Sequence, residues 1–104
     1  MNPKADYGLR QVRIPAGNIV QWSVPDGCYV VIQPRSDNVN NITISTQDPT
    51  GVPVGTVAAW TLLPGIPATG TLSELKLPAG YGGPVYFSGT PGEHVIIWIL
   101  PGAY

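Results

Sequence analysis

One histidine and one cysteine limit the chemistry open to this chain. His94 sits in the stretch Gly92-Glu93-His94-Val95-Ile96-Ile97-Trp98-Ile99-Leu100. A catalytic histidine needs a nucleophile to activate and an acid to orient it. Its neighbour Glu93 points to the opposite side of an extended chain. His94 therefore reads as a half-exposed residue at the entrance of a strand. Cys28 has no second cysteine to pair with, so an intrachain disulfide is excluded. It reads as a small buried hydrophobe. A metal site usually takes three or four ligands at characteristic spacing, and one His, one Cys and scattered acids do not supply it. The acids are Asp6, Asp26, Asp37, Asp48, Glu74 and Glu93. Asp26 and Asp48 stand beside Pro and Gly, where a carboxylate caps a turn. Glycoside hydrolysis needs two facing carboxylates, and the sequence singles out no pair. Gly80-Tyr81-Gly82-Gly83-Pro84 lacks the Lys-Ser/Thr and the following helix of a phosphate loop. The expectation is a non-enzymatic protein with no catalytic residue, no metal and no cofactor.

Charge narrows the field further. Only 11% of residues are charged, against about 25% in an ordinary domain. The net charge is −1, and the cations Lys4, Arg10, Arg13, Arg35 and Lys76 form no cluster. Binding to a nucleic-acid backbone draws on clustered cations, so no nucleic-acid partner is expected. No apolar run approaches the roughly 20 residues of a membrane helix, and no membrane partner is expected. The N-terminus Met1 to Arg10 has no apolar core of the signal-peptide kind. A surface so poor in charge is either built of Thr, Ser, Asn, Gln, Gly and Pro or covered by other chains.

The elements that would position these residues are strands. Gly and Pro total 25 of 104 residues and punctuate the whole length. Between them lie short runs rich in Val, Ile, Thr, Tyr and Trp. Leu9–Ile14, Asn18–Val24, Cys28–Gln33, Ile42–Gln47, Val52–Leu63 with a bend at Gly55, Thr71–Leu77, Val85–Ser88 and His94–Leu100 make about eight. Alternation turns Val12 with Ile14, Val20 with Trp22 and Val24, and Ile42 with Ile44 inward, and Thr43, Ser45 and Gln47 outward. Pro25-Asp26-Gly27 predicts a tight turn joining the second and third strands as a hairpin. The expected fold is all-β, a single-domain antiparallel β-sandwich of jelly-roll type. Residues 1–10 are expected as an extended arm and residues 11–104 as the sandwich. Val12-Arg13-Ile14-Pro15-Ala16-Gly17-Asn18 echoes Leu75-Lys76-Leu77-Pro78-Ala79-Gly80-Tyr81, which suggests two similar strand exits, one in each half of the sandwich.

The last strand is apolar on both faces, which implies burial on both sides. One face meets the core; the other needs a loop, the arm or another subunit to cover it. Val95, Ile97 and Ile99, with Tyr86 nearby, are the expected self-association surface. The polar arm, through Asn2, Lys4, Tyr7 and Arg10, is expected to drape over a partner. A rival reading is a small carbohydrate-binding module. It would use Tyr81 as an exposed stacking platform and the loop Asn38–Asn41 for sugar hydroxyls, with Trp22 and Trp98 packed in the core.

Two stretches carry a resemblance. Asn40-Asn41-Ile42-Thr43-Ile44-Ser45-Thr46-Gln47-Asp48-Pro49 and onward to Gly65, then Leu77 to Leu100 with its Tyr86-Phe87-Ser88-Gly89-Thr90 turn, resemble small structural proteins of tailed bacteriophages. Such chains are often rich in Gly, Pro and Thr, poor in charge and free of disulfides, and they often close on an apolar strand. The resemblance implies a virion protein, first of all a capsid cement (decoration) protein, a homotrimer that clamps neighbouring copies of the major capsid protein. A connector, collar or tail component is the alternative it implies.

Overall fold

In the computed structural model, described for residues 7–52, 57–63, 73–77 and 81–101, the apolar alternation becomes eight strands in two four-stranded antiparallel sheets. These are β1 (Gly8–Arg13), β2 (Ile19–Val24), β3 (Cys28–Pro34), β4 (Ile42–Ser45), β5 (Trp60–Leu62), β6 (Leu75–Leu77), β7 (Gly83–Ser88) and β8 (His94–Pro101). Sheet A runs β1-β8-β3-β6 and sheet B runs β2-β7-β4-β5. The chain is an all-β sandwich, as its period-2 pattern predicts.

One register organises both sheets. Gly8 faces Ile99, Ile19 faces Ser88 and Val30 faces Leu77, so each step forward in β1–β3 meets an equal step back from β8 through β7 to β6. The pair β4–β5 closes this nested series. The molecule is thus one long antiparallel ribbon. Wrapping it over brings β3 beside β8 and β4 beside β7.

The inward residues form one core: Ile14, Val24, Cys28, Val30, Ile32, Ile42, Ile44, Leu62, Val85, Phe87, Val95, Ile97 and Ile99. Cys28 is a buried free thiol packed among these aliphatics, as its isolation in the sequence predicts.

Several expectations are corrected. Pro25-Asp26-Gly27 does not make a hairpin: β2 belongs to sheet B and β3 to sheet A. Gly27 takes φ 75°, and the turn serves as an arch between sheets. The local turn chemistry was legible, whereas the partners of β2 and β3 come from β7 and β8, sixty or so residues away. Residues 8–10, expected in the arm, belong to β1 and pair with β8. Asn2 and Lys4 lie outside the described residues, as do Gly55, Thr71 and the second Pro-Ala-Gly at residues 78–80. The echoed strands do not fall in opposite halves either. β1 and β6 are the two edges of sheet A, and the strands that follow them, β2 and β7, pair in sheet B. Ser45 is buried rather than outward, its hydroxyl donating to the Gln47 carbonyl at 2.8 Å.

Candidate functional site

β8 is the central strand that carries the site, flanked by β1 and β3. Its odd residues Val95, Ile97 and Ile99 point inward and are 0%, 0% and 3% exposed. They are core and not a self-association strip, because the sandwich interior takes the parity that pairs them with Val12, Val30 and Ile32. Tyr86 is not near them, since it lies on the other face of β7 in sheet B, opposite Gln21 and Ser45. The even residues His94, Ile96, Trp98 and Leu100 form the outer face. Trp98 is 40% exposed and is not the core residue its apolar neighbours suggested.

The cross-strand register extends this face across sheet A. Leu9 stands opposite Trp98, Trp98 opposite Val31, and Val31 opposite Lys76. Beside that row, Ile96 lies between Gln11 and Gln33, and Leu100 lies opposite Tyr29. Leu9 is exposed, and so is Tyr7, which precedes β1. The result is an apolar strip with a tryptophan at its centre.

Polar side chains frame one side of the strip. The Trp98 indole Nε1–H donates to Gln33 Oε1 at 3.3 Å, and Gln33 Nε2 donates to Glu74 Oε1 at 3.0 Å. Lys76 Nζ lies 3.5 Å from Glu74 Oε2. Arg35 donates to Gln11 Oε1 at 3.4 Å and pairs with Asp37 at 2.9 Å. These bonds hold the indole by its edge and leave its ring exposed. An apolar centre containing Trp, with Arg and amides around it, has the composition of a protein-docking surface. Nothing in it activates a nucleophile.

The remaining candidates are occupied by structure. Asn38 is 5% exposed. Its Nδ2 donates to the His94 carbonyl at 2.7 Å, and its Oδ1 accepts from the His94 N–H at 3.1 Å. The Glu93 carboxylate accepts from the backbone N–H of Val39 at 2.9 Å and of Asn40 at 3.3 Å. The loop is therefore stapled to the start of β8 through Asn38, Val39 and Asn40. His94 is half-buried at the head of β8, where the sequence put it. Sequence reasoning missed this staple, which joins Asn38 to His94 and Val39 and Asn40 to Glu93 across more than 50 residues; an Asn-rich loop beside a lone acid was the available signal. Tyr81 is half-buried against the core, its hydroxyl donating to the Pro84 carbonyl at 2.6 Å, and is not an exposed platform.

A cavity of about 280 Å³ opens where β4 and β5 face β6, lined by Ile44, Ala58, Trp60, Leu75, Leu77 and Val85 among others. Trp60 pairs with inward-facing Ile44 yet is 53% exposed, because it forms the outer wall of this cavity. Among the described residues no titratable side chain lines it. Among the described residues no group of three His, Cys, Asp or Glu could hold a metal ion, and no helix is long and apolar enough to cross a membrane.

No family model matches the chain, and comparison with curated proteins and with solved structures finds no match.

Proposed function

We propose that the protein is a non-enzymatic structural component of a tailed-phage virion, a capsid cement (decoration) protein that docks on neighbouring capsid subunits through the outer face of sheet A. The observation that carries this reading is the strip Leu9–Trp98–Val31 with Ile96 alongside, its Leu9 and Trp98 exposed and its Val31 and Ile96 half-buried, framed by Gln11, Gln33 and Arg35. Buried against a shell, such a strip contributes through its central aromatic, while the rim amides and Arg35 set the orientation. Many copies acting together make a modest contact hold.

The strand order supports a finer reading of the sandwich. Nested pairing of β1 with β8, β2 with β7, β3 with β6 and β4 with β5, wrapped into two sheets, is the plan of a jelly roll. That architecture serves in viral capsid and lectin domains. The lectin side of this comparison is weakened by the half-burial of Tyr81 and by the internal bonding of Asn38, Val39 and Asn40.

The test is made on tailed particles assembled from the genome that encodes the chain. An antibody to the protein is expected to label the shell at many copies, and Trp98→Asp is expected to leave a folded chain that no longer sediments with the particle. Label on the tail or collar alone would replace the cement role by a connector role. Particles without the chain would overturn the virion reading.

A further inference from the structure

The sandwich has four edge strands, and three of them are guarded. β1 carries Arg13 and, at an inward-facing position opposite Ile97, Arg10. β5 and β6 are three residues long, and β6 adds Lys76. Short length and charge on an edge, above all an inward-pointing charge, are the devices that keep edges from pairing with other chains. β2 has none of them. It is six residues, Ile-Val-Gln-Trp-Ser-Val, with regular alternation and no charge, Gly or Pro.

The free hydrogen-bonding groups on β2 follow from its pairing with β7. The Asn18 carbonyl accepts from Gly89 N at 2.9 Å. In an antiparallel ladder the direction then alternates. Val20, Trp22 and Val24 turn their backbone groups to β7, and Ile19, Gln21 and Ser23 turn theirs to the open edge, where no strand lies among the described residues. The side chains at this edge are also incompletely covered. Val20 and Trp22 face the core but stay half-buried, whereas Val85 and Phe87 of the adjacent β7 are 0% exposed.

We infer that the β2 edge pairs with β2 of a second copy, antiparallel about a two-fold axis through Gln21. In that register Ile19 bonds with Ser23 of the second copy, and Gln21 with Gln21. Val20 then falls opposite Trp22 of the second copy at the closer of the two cross-strand spacings. A β-branched residue against an aromatic is a favourable cross-strand pair. An uncharged edge meets no charge repulsion from its own copy. Sheet B becomes continuous across the dimer, and the outer face of sheet A is left free on both copies. The inference is independent of the docking role of that face.

Light scattering coupled to size exclusion tests it. The wild-type chain is expected at twice 11.0 kDa. Gln21→Lys and Gln21→Glu each place like charges on the axis at an exposed position, and each is expected to run as a folded monomer. Their equimolar mixture is expected to return to the dimer mass, because position 21 faces only itself. Wild-type amide exchange supplies a reading that needs no substitution: the N–H groups of Ile19, Gln21 and Ser23 are expected to slow as protein concentration rises. A wild-type monomer, a trimer, a dimer indifferent to Gln21→Lys, or a mixture that stays monomeric would each overturn the inference. Trp98→Ala is expected to leave the mass unchanged, which separates this contact from docking through sheet A.

Discussion

The two faces of β8 are nearly indistinguishable in composition and opposite in fate. Val95, Ile97 and Ile99 lie at the centre of the core. Ile96, Trp98 and Leu100, equally apolar, look away from it. What separates them is parity. A strand offers alternate residues to alternate sides, and the side that becomes interior is chosen by what the neighbouring strands place there. Val12, Val30 and Ile32 are on one side; Gln11, Gln33 and Lys76 share the other. Apolarity alone marks a strand as buried on one face or two, and the neighbours decide which residues are structural and which can meet a partner.

Truncation is the sharpest way to separate the faces. Ile97→Ala is expected to cost about 2–5 kcal/mol in urea denaturation, since the lost methylenes leave a cavity in a packed core. Asn38→Ala comes next. It leaves the His94 N–H without its partner, while the His94 carbonyl keeps the Arg35 N–H at 3.2 Å; the cost is about 1–3 kcal/mol, and thermal denaturation should show it despite the small volume removed. Trp98→Ala is expected to change stability by about 1 kcal/mol or less, as exposed substitutions usually do. If it proves as costly as Ile97→Ala, the contrast between the faces collapses and the outer strip is structural.

The smallest effect lies away from both faces and serves as their control. Hydrogen bonding from the Thr50 side chain, and then from its backbone N–H at 2.9 Å, holds the Asp48 carboxyl below its ordinary 3.8. A pKa lower in the folded state stabilises the fold above the unfolded value, and that contribution is lost as pH falls through the folded one. Acid titration of stability should therefore show a slightly shallower loss below pH 3.8 in Asp48→Asn than in the wild type. Equal slopes would mean that the Thr50 contacts do not persist in solution.

Much of the sandwich was legible because local rules govern it. Alternation in Ile19–Val24 and Ile42–Ser45 gave strands and their inward faces, and a cysteine without a partner gave a buried thiol. Pairing was not legible, since β2 and β3 look like a hairpin until β7 and β8 compete for them. The same long-range competition hid the site. Trp98 reads as core beside Ile97 and Ile99 until its register with Leu9 and Val31 is known. Glu93 reads as a spare acid until the Asn38–Asn41 loop arrives from across the sequence.

The nested ribbon also has a consequence for biosynthesis. β8 stands between β1 and β3, and β7 between β2 and β4. Neither sheet can therefore close while residues 83–101 are still inside the ribosome. Loop entropy favours starting at the innermost pair, β4–β5, then zipping outward through β3–β6 and β2–β7 to β1–β8, each closure shortening the loop left for the next. Pulse-labelled amide exchange during refolding should protect Ile44 and Leu62, which bond across β4–β5, before Val12 and Val95, which bond across β1–β8. The protein is thus made as an open chain that waits for its last strand, and the cell must keep the apolar first half out of other contacts until the second half arrives.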